Sequence, residues 1–525
     1  VSNSHNDNDI AGAFGTIKAH DNSGRSGLRA RLLTLLAIIG PGLIVMVGDN
    51  DAGGVSTYAQ AGQDFGYTLL WTLPVLIPVL IVNQEMVARL GAVTGVGHGR
   101  LIRERIGRRW GNVSIGTILL LNFLIIITEF IGVSLSMQYF GISPFVSVPI
   151  AFVALFAVTA TGSFRSWERF MMLFVAVNLL VLPLLWVSHP HLAAVVHGAV
   201  VPTIRGGASS AAVLLIVSIV GTTVAPWQLY FQQSNIVDKR ISPRWLNYER
   251  VDTILGSVIV VIGAGALIAA TAAGLSIHGG TNAFTDTLRV ANGLEHHLGN
   301  GAGAFFALIL LNASIIGAAA VTLASSYALG DLSSMRQGLN LRLREAPMFY
   351  GSFAALLGVA ALVTLVASNH LLALVTLMVQ AMCGMLLPST TMFVLILCND
   401  RDVLGPWVNA KWLNVLASII IVILVVLSIV MMASTVFPSL NVATLLEVLG
   451  GLGGVVLIVA LPIGWRRMPA RVPYAGDRRD WRMPRLSLLS SPQTSRARRW
   501  LLRLDAAYLT VAGILLVVRF IQLAT

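Results

Sequence analysis

Apolar residues along this chain are gathered into long runs separated by short polar stretches. Runs long enough to cross a bilayer start near Leu32, Tyr67, Asn112, Pro144, Phe170, Ala208, Thr253, Ala302, Tyr350, Leu371, Trp412, Leu445 and Leu501, and predict about twelve or thirteen membrane spans. The first run is interrupted at mid-length by Gly48-Asp49-Asn50-Asp51-Ala52-Gly53-Gly54. Hydrocarbon offers an ion or a free backbone group no partner, so two carboxylates among three glycines at that depth read as a cation site.

A second interruption falls in the sixth run, at Gly221-Thr222-Thr223-Val224-Ala225-Pro226-Trp227-Gln228. Proline removes a backbone donor and clashes with the carbonyl one turn back, so the helix there is expected to open. Broken segments at matching positions of two five-span halves are the mark of an inverted-repeat transporter that binds its cargo at the midplane. The expected fold is therefore all-α and polytopic, a 5+5 leucine-transporter-like inverted repeat with discontinuous first and sixth helices. Residues 31–190 and 205–400 form its halves, 410–465 are peripheral spans, 466–500 a basic linker and 501–525 a last span.

Composition agrees: of 525 residues, 56% are hydrophobic and 11% charged, with a mean hydropathy of +0.80. A net charge of +12 would suggest nucleic acid in a soluble protein. Here the basic residues follow topology. Arg100, Arg103, Arg105, Arg108 and Arg109, then Arg165 and Arg169, Lys239, Arg240, Arg244 and Arg250, and Arg336, Arg342 and Arg344 fall in loops on one side, whereas Arg205 and Arg289 are nearly all the other side holds. That bias places the N-terminus in the cytoplasm, most simply of a bacterial inner membrane, and leaves no need for a nucleic-acid partner. Residues 1–30 read as a polar, mobile tail without the features of a signal peptide. The Arg-, Pro- and Ser-rich stretch from Arg466 to Arg499 reads as a cytoplasmic linker on anionic headgroups. Cys383 and Cys398 share one predicted helix, roughly 22 Å apart at 1.5 Å per residue, too far for a disulfide.

Residue by residue, the breaks resemble the natural resistance-associated macrophage protein (Nramp) family of divalent-metal transporters. Gly40-Pro41-Gly42, Asp51-Ala52-Gly53-Gly54 (where the family has Asp-Pro-Gly-Asn), Gln60-Ala61-Gly62, Phe65 to Trp71, Leu90 to Gly95 and Gly221 to Tyr230 (the family's Gly-Ala-Thr-x-Met-Pro-His-Asn-Leu-Tyr) carry the resemblance. It implies Asp51 as the metal-coordinating Asp and Gln380 as the tenth-span Gln. The family's Asn falls on Gly54, its Met on Ala225 and its sixth-span histidines on Trp227 and Gln232. Thr222 takes a place that offers a backbone carbonyl.

Loss of the thioether at Ala225 removes a soft ligand that favours transition metals. Loss of Asn and Met also leaves room for an ion that keeps part of its water, as Mg²⁺ does. The pattern is most like the Nramp-related magnesium branch. The expected metal set is Asp51, Asp49, Gly54, Thr222, Ala225 and Gln380, with Gly53, Trp227, Gln228 and Gln232 lining the cavity. The metal is cargo, not a cofactor.

Glu129 matches the family's third-span Glu and reads as a proton or water-path residue or as a structural acid. Without the sixth-span histidines, weak or absent proton coupling is expected. Glu85 is expected to pair with Arg89. His189, His191, His197, His278, His296 and His297 read as solvated loop residues, not a zinc site. Competing readings are a proton-coupled Mn²⁺/Fe²⁺ transporter, an amine or amino-acid permease of the same fold, a channel, and an intramembrane enzyme. The last lacks any His-Glu-x-x-His or Gly-x-Ser-x-Gly constellation.

Overall fold

A computed structural model describes residues 9–18, 21, 25, 27–276, 286–333, 335–437, 440–467, 474–490 and 496–524; His278 lies outside them. The chain opens with a two-stranded antiparallel hairpin, β1 (Ile10–Gly12) and β2 (Gly15–Ile17). Helices follow in the order α1 (Leu28–Ile38), α2 (Pro41–Val47), α3 (Ala52–Phe65), α4 (Thr72–Thr94), α5 (His98–Leu101), α6 (Arg108–Tyr139), α7 (Pro144–Thr159), α8 (Phe164–Val177), α9 (Val181–Ser188) and α10 (Leu192–Val200). The second half runs α11 (Ser210–Thr223), α12 (Pro226–Asp238), α13 (Leu246–Leu275), α14 (Thr287–Leu298), α15 (Ala302–Ser333), α16 (Pro347–Val366) and α17 (Asn369–Cys398). Then come α18 (Arg401–Leu404), α19 (Lys411–Val436), α20 (Val442–Arg467) and α21 (Arg496–Ala524).

Among the described residues, ten helical segments are long and apolar enough to span a bilayer, and the pair α1–α2, bent by 55°, makes an eleventh. The shorter α7 and the C-terminal α21 occupy the fourth and last of the apolar runs. Both expected breaks are present: residues 48–51 part α2 from α3, and Val224-Ala225 part α11 from α12. The broken helices lie at the centre, α3 against α13 and α11, and α12 against α4 and α15. The outer faces of α7, α9 and α20 expose Val153, Leu182 and Ile458, as surfaces in contact with lipid would.

Two segments differ from their expected character. Within the stretch read as a mobile tail, Ile10 and Ile17 are buried and the hairpin is fastened by Ala13 N donating to Glu168 Oε2 at 2.6 Å and Arg169 Nε donating to the Ala13 carbonyl at 3.0 Å. The described part of the basic linker, 474–490, is mostly exposed but touches protein at several points. Arg478 stacks on Trp407 at 3.8 Å, Met483 N donates to the Val93 carbonyl, and Asp480 pairs with Arg244.

Candidate functional site

The first break closes on itself with polar side chains. Asp51 is the N-cap of α3, its Oδ1 accepting from Gly54 N at 2.7 Å. Glu129 of α6 takes another orphan donor of the same turn, with Oε2 accepting from Ala52 N at 3.1 Å. Asn50 ties the break to α13 by donating to the Val260 carbonyl. The second break is pinned to the first half by a 2.8 Å hydrogen bond between Tyr58 OH and Thr223 Oγ1. Pro226 opens α12 at its first turn, where its missing N–H costs nothing.

Around Gly54 lie three oxygens: a Cβ built there would stand 2.9 Å from Thr222 Oγ1, 3.0 Å from the Asp49 carbonyl and 3.4 Å from Asp51 Oδ1. The amide of Gln380 lies directly over Gly53, where a Cβ would overlap its Nε2. Room for water was expected to come from these glycines. It is already taken, by a hydroxyl, a carbonyl and an amide.

Several of these atoms are buried without a hydrogen-bond partner: both carboxylate oxygens of Asp49, Oε1 of Glu129, Oγ1 of Thr222 and Nε2 of Gln380 and Gln228. The Gln228 side chain and the Ala225 backbone stand beside the Asp49 carboxylate. Unpaired buried polar atoms cost about 1–3 kcal/mol each, so this density of them marks a place built for a ligand. Hard oxygen predominates. No group of three or more His, Cys, Asp or Glu side chains converges tightly enough to hold a metal unaided among the described residues, so backbone and amide oxygens have to complete any cation's shell.

A cavity of about 620 Å³ adjoins this cluster. Ser56, Thr57, Thr128, Ser218, Asp286 and Gln380 are among its walls, and it runs from the end of the bundle that holds α14 down to Ala52 beside Asp51. Gly53, Trp227, Gln228 and Gln232 do not border it. Trp227 is buried against Gly48 and Phe231; Gln228 accepts from Gln84, and Gln232 donates to Thr253. Glu85 pairs with Arg89 and also with Arg250.

Two neighbours of the site and one more distant ion pair escape sequence reasoning. Gly317 of α15 lets that helix close on both acids, since a Cβ there would stand 2.6 Å from the Glu129 carboxylate and 3.0 Å from Asp51 Cβ. Cys383, one turn past Gln380, is buried within electrostatic reach of Asp49 and Asp51; attention to disulfides passed over it. A buried ion pair, Lys239 with Glu168 at 2.6 Å, stands at the hairpin end together with Asp252 and Glu249. The signal available for these acids was ionisable groups at the margins of apolar runs.

Two helices that break at mid-bundle, carboxylates at one break and a cavity leading to them define a membrane carrier with a leucine-transporter-like inverted-repeat fold. The family profile described as natural resistance-associated macrophage protein-like matches residues 42–434, and the chain belongs to that family. Among curated relatives, the divalent metal cation transporter MntH of Bacillus subtilis is 29% identical over 425 residues, spanning 76% of this chain and 93% of its own length. MntH of Klebsiella pneumoniae is 28% identical over 417 residues, spanning 77% and 95%. The Eremococcus coleocola manganese transporter, solved with an aromatic bis-isothiourea compound, shares the fold with a TM-score of 0.63 at 21% identity, over 85% of this chain and 98% of that one.

Proposed function

We propose that this chain carries a hard divalent cation, Mg²⁺ ahead of Mn²⁺, by alternating access, with the ion partly hydrated and anchored on Asp51. A divalent-metal transporter, not an enzyme, is what membership of the family entails, and the metal is its cargo. The choice of ion rests on one observation: the atoms gathered around Gly54 are Asp51 Oδ1, Thr222 Oγ1 and the Asp49 carbonyl, all hard oxygens, with Ala225 where the family has a thioether. Such donors suit Mg²⁺, which dehydrates reluctantly and keeps several waters. Those waters come from the adjoining cavity, which reaches Ala52 and Gln380. Asp49 supplies a second carboxylate on the inner side of the break.

The arginine-rich loops support a reading with the hairpin end in the cytoplasm, in which the cavity opens outward. With Trp227 and Gln232 at the family's histidine positions, the gradient and the membrane potential drive transport without protons. The contact of Glu129 with the Ala52 amide beside Asp51 favours a second reading, in which Glu129 passes a proton.

Influx of Mg²⁺ and Mn²⁺ into reconstituted vesicles tests both. Saturable Mg²⁺ influx without internal acidification, lost at least tenfold in Asp51→Ala, is expected. Mn²⁺ influx without Mg²⁺ influx overturns the choice of ion, acidification that depends on Mg²⁺ influx overturns the absence of coupling, and undiminished influx in Asp51→Ala overturns the site. Ala225→Met is expected to shift preference toward Mn²⁺ and Cd²⁺.

A further inference from the structure

Below the two breaks, the hairpin end is closed but far from apolar. Gln228, Gln232 and Asn235 recur along α12 at spacings of four and three, which puts them on one face of the helix. All three are fully buried, yet Gln228 Nε2, Gln232 Oε1 and both amide atoms of Asn235 have no hydrogen-bond partner. Buried polar atoms left without a protein partner are ones that water, an ion or another state of the protein has to satisfy.

Opposite Gln232 stands Glu249 of α13. Gln232 Nε2 lies 3.4 Å from Glu249 Oε1 and 3.1 Å from Thr253 Oγ1, while Glu249 Oε2 is buried and unpartnered. Its neighbours show what a structural acid looks like here. Glu168 is bound by Lys239 and by Ala13 N, and Asp252, one turn along the same helix, accepts from the backbone of Gly40, Gly42 and Leu43. Glu249 alone of the three keeps an idle oxygen, and it faces an amide with an idle oxygen of its own.

We infer that Glu249 and Gln232 form a second, inner station for a divalent cation, occupied as the ion leaves toward the hairpin end. This rests on the reading of the chain as a cation carrier. Gln232 lies seven residues beyond Ala225, about 10 Å along α12, so the station is a separate stop from Asp51. The donors are again hard oxygens, one carboxylate and one amide, with water to fill the shell once that end opens. Lys239 is within electrostatic reach of Glu249, although its ammonium is taken up by Glu168 and the carbonyls of Ile38 and Ile39. Two acids, Glu168 and Asp252, stand against that one ammonium, so the surroundings of Glu249 stay net negative and favour a cation there.

The test is Mg²⁺ flux through the full-length protein in oriented vesicles, with the half-saturating concentration measured separately on each face. Glu249→Gln and Gln232→Ala are expected to raise it at least fivefold on the hairpin face and to leave it within twofold on the cavity face. Gln232→Glu is expected to lower it at least threefold on the hairpin face, and Glu249→Asp to stay within threefold of wild type there. Equal changes on both faces, or none on the hairpin face, overturn the station. Asp51→Ala keeps the two ideas apart: if it transports normally the carrier site is misplaced, whereas failure of the Glu249 and Gln232 variants alone removes only the inner station.

Discussion

At one end of the bundle a cavity of about 620 Å³, with hydroxyls and amides set among leucines in its wall, runs down to Asp51's neighbours, while at the other Lys239, Glu168 and Asp252 are buried in ion-pair and backbone hydrogen bonds. The open end uses groups that water can satisfy at any time. The closed end uses charges placed on a hinge. Lys239 Nζ donates to the carbonyls of Ile38 at 2.6 Å and Ile39 at 3.1 Å, at the end of α1, and Asp252 accepts from the first amides of α2. A cation thus caps a helix C-terminus and an anion the next N-terminus, each with the favourable sign for the helix dipole. Where α1 and α2 meet at a 55° bend, these clips fasten the first broken helix to α12 and α13. Polar clips can be exchanged for water when the end opens, so closure of this kind is reversible in a way that a plug of large apolar side chains is not.

The largest break in this contrast is expected from Lys239→Met, which strands the Glu168 carboxylate in a dry site. Removing one partner of a buried pair costs about 3–5 kcal/mol, read as a marked fall in the melting temperature of the detergent-solubilised protein. Asp252→Asn removes the charge from three hydrogen bonds and is expected to cost about 1.5–3 kcal/mol by the same assay. Gly53→Ala acts at the first break, between the two ends: its Cβ overlaps the Gln380 amide, so saturable flux is expected to drop severalfold with little change in melting temperature.

The smallest effect concerns pH. His98, the first residue of α5, is buried against Tyr230 and hydrogen-bonded to Gln233, and burial lowers its pKa from 6.5 to about 4. The unfolded chain therefore binds a proton that the folded chain refuses between those values, so stability from this group is full above pH 6.5 and lost as pH falls toward 4. His98→Gln is expected to flatten that part of the stability curve.

Both breaks were legible because each violates its surroundings: carboxylates and glycines at 48–54, and Pro226 at the middle of an apolar run. The order of spans was legible for the same reason. The hinge clips were not, because Lys239 meets a Glu 71 residues away and Asp252 meets amides some 210 residues away; only folding brings them together. Glu249 carries no mark in the sequence that separates it from the other polar residues ahead of the seventh span. The hairpin rests on little more than Ile10 and Ile17, too short a pattern to stand out from a polar tail. The glycines at 53 and 54 announced space, and only the partner helices reveal that Gln380 and Thr222 fill it.

The central claim is that the ion site communicates with one end at a time. Thiol labelling by a membrane-impermeant reagent tests it, with Ser218→Cys on the cavity wall and Asn235→Cys on the buried face of α12, each in a background with Cys383 and Cys398 replaced by serine. Without ion, Ser218→Cys is predicted to react from the cavity face while Asn235→Cys is protected, and conditions that expose Asn235→Cys to the hairpin face are predicted to protect Ser218→Cys in proportion. Simultaneous labelling of both would mean a continuous pore and would contradict the account.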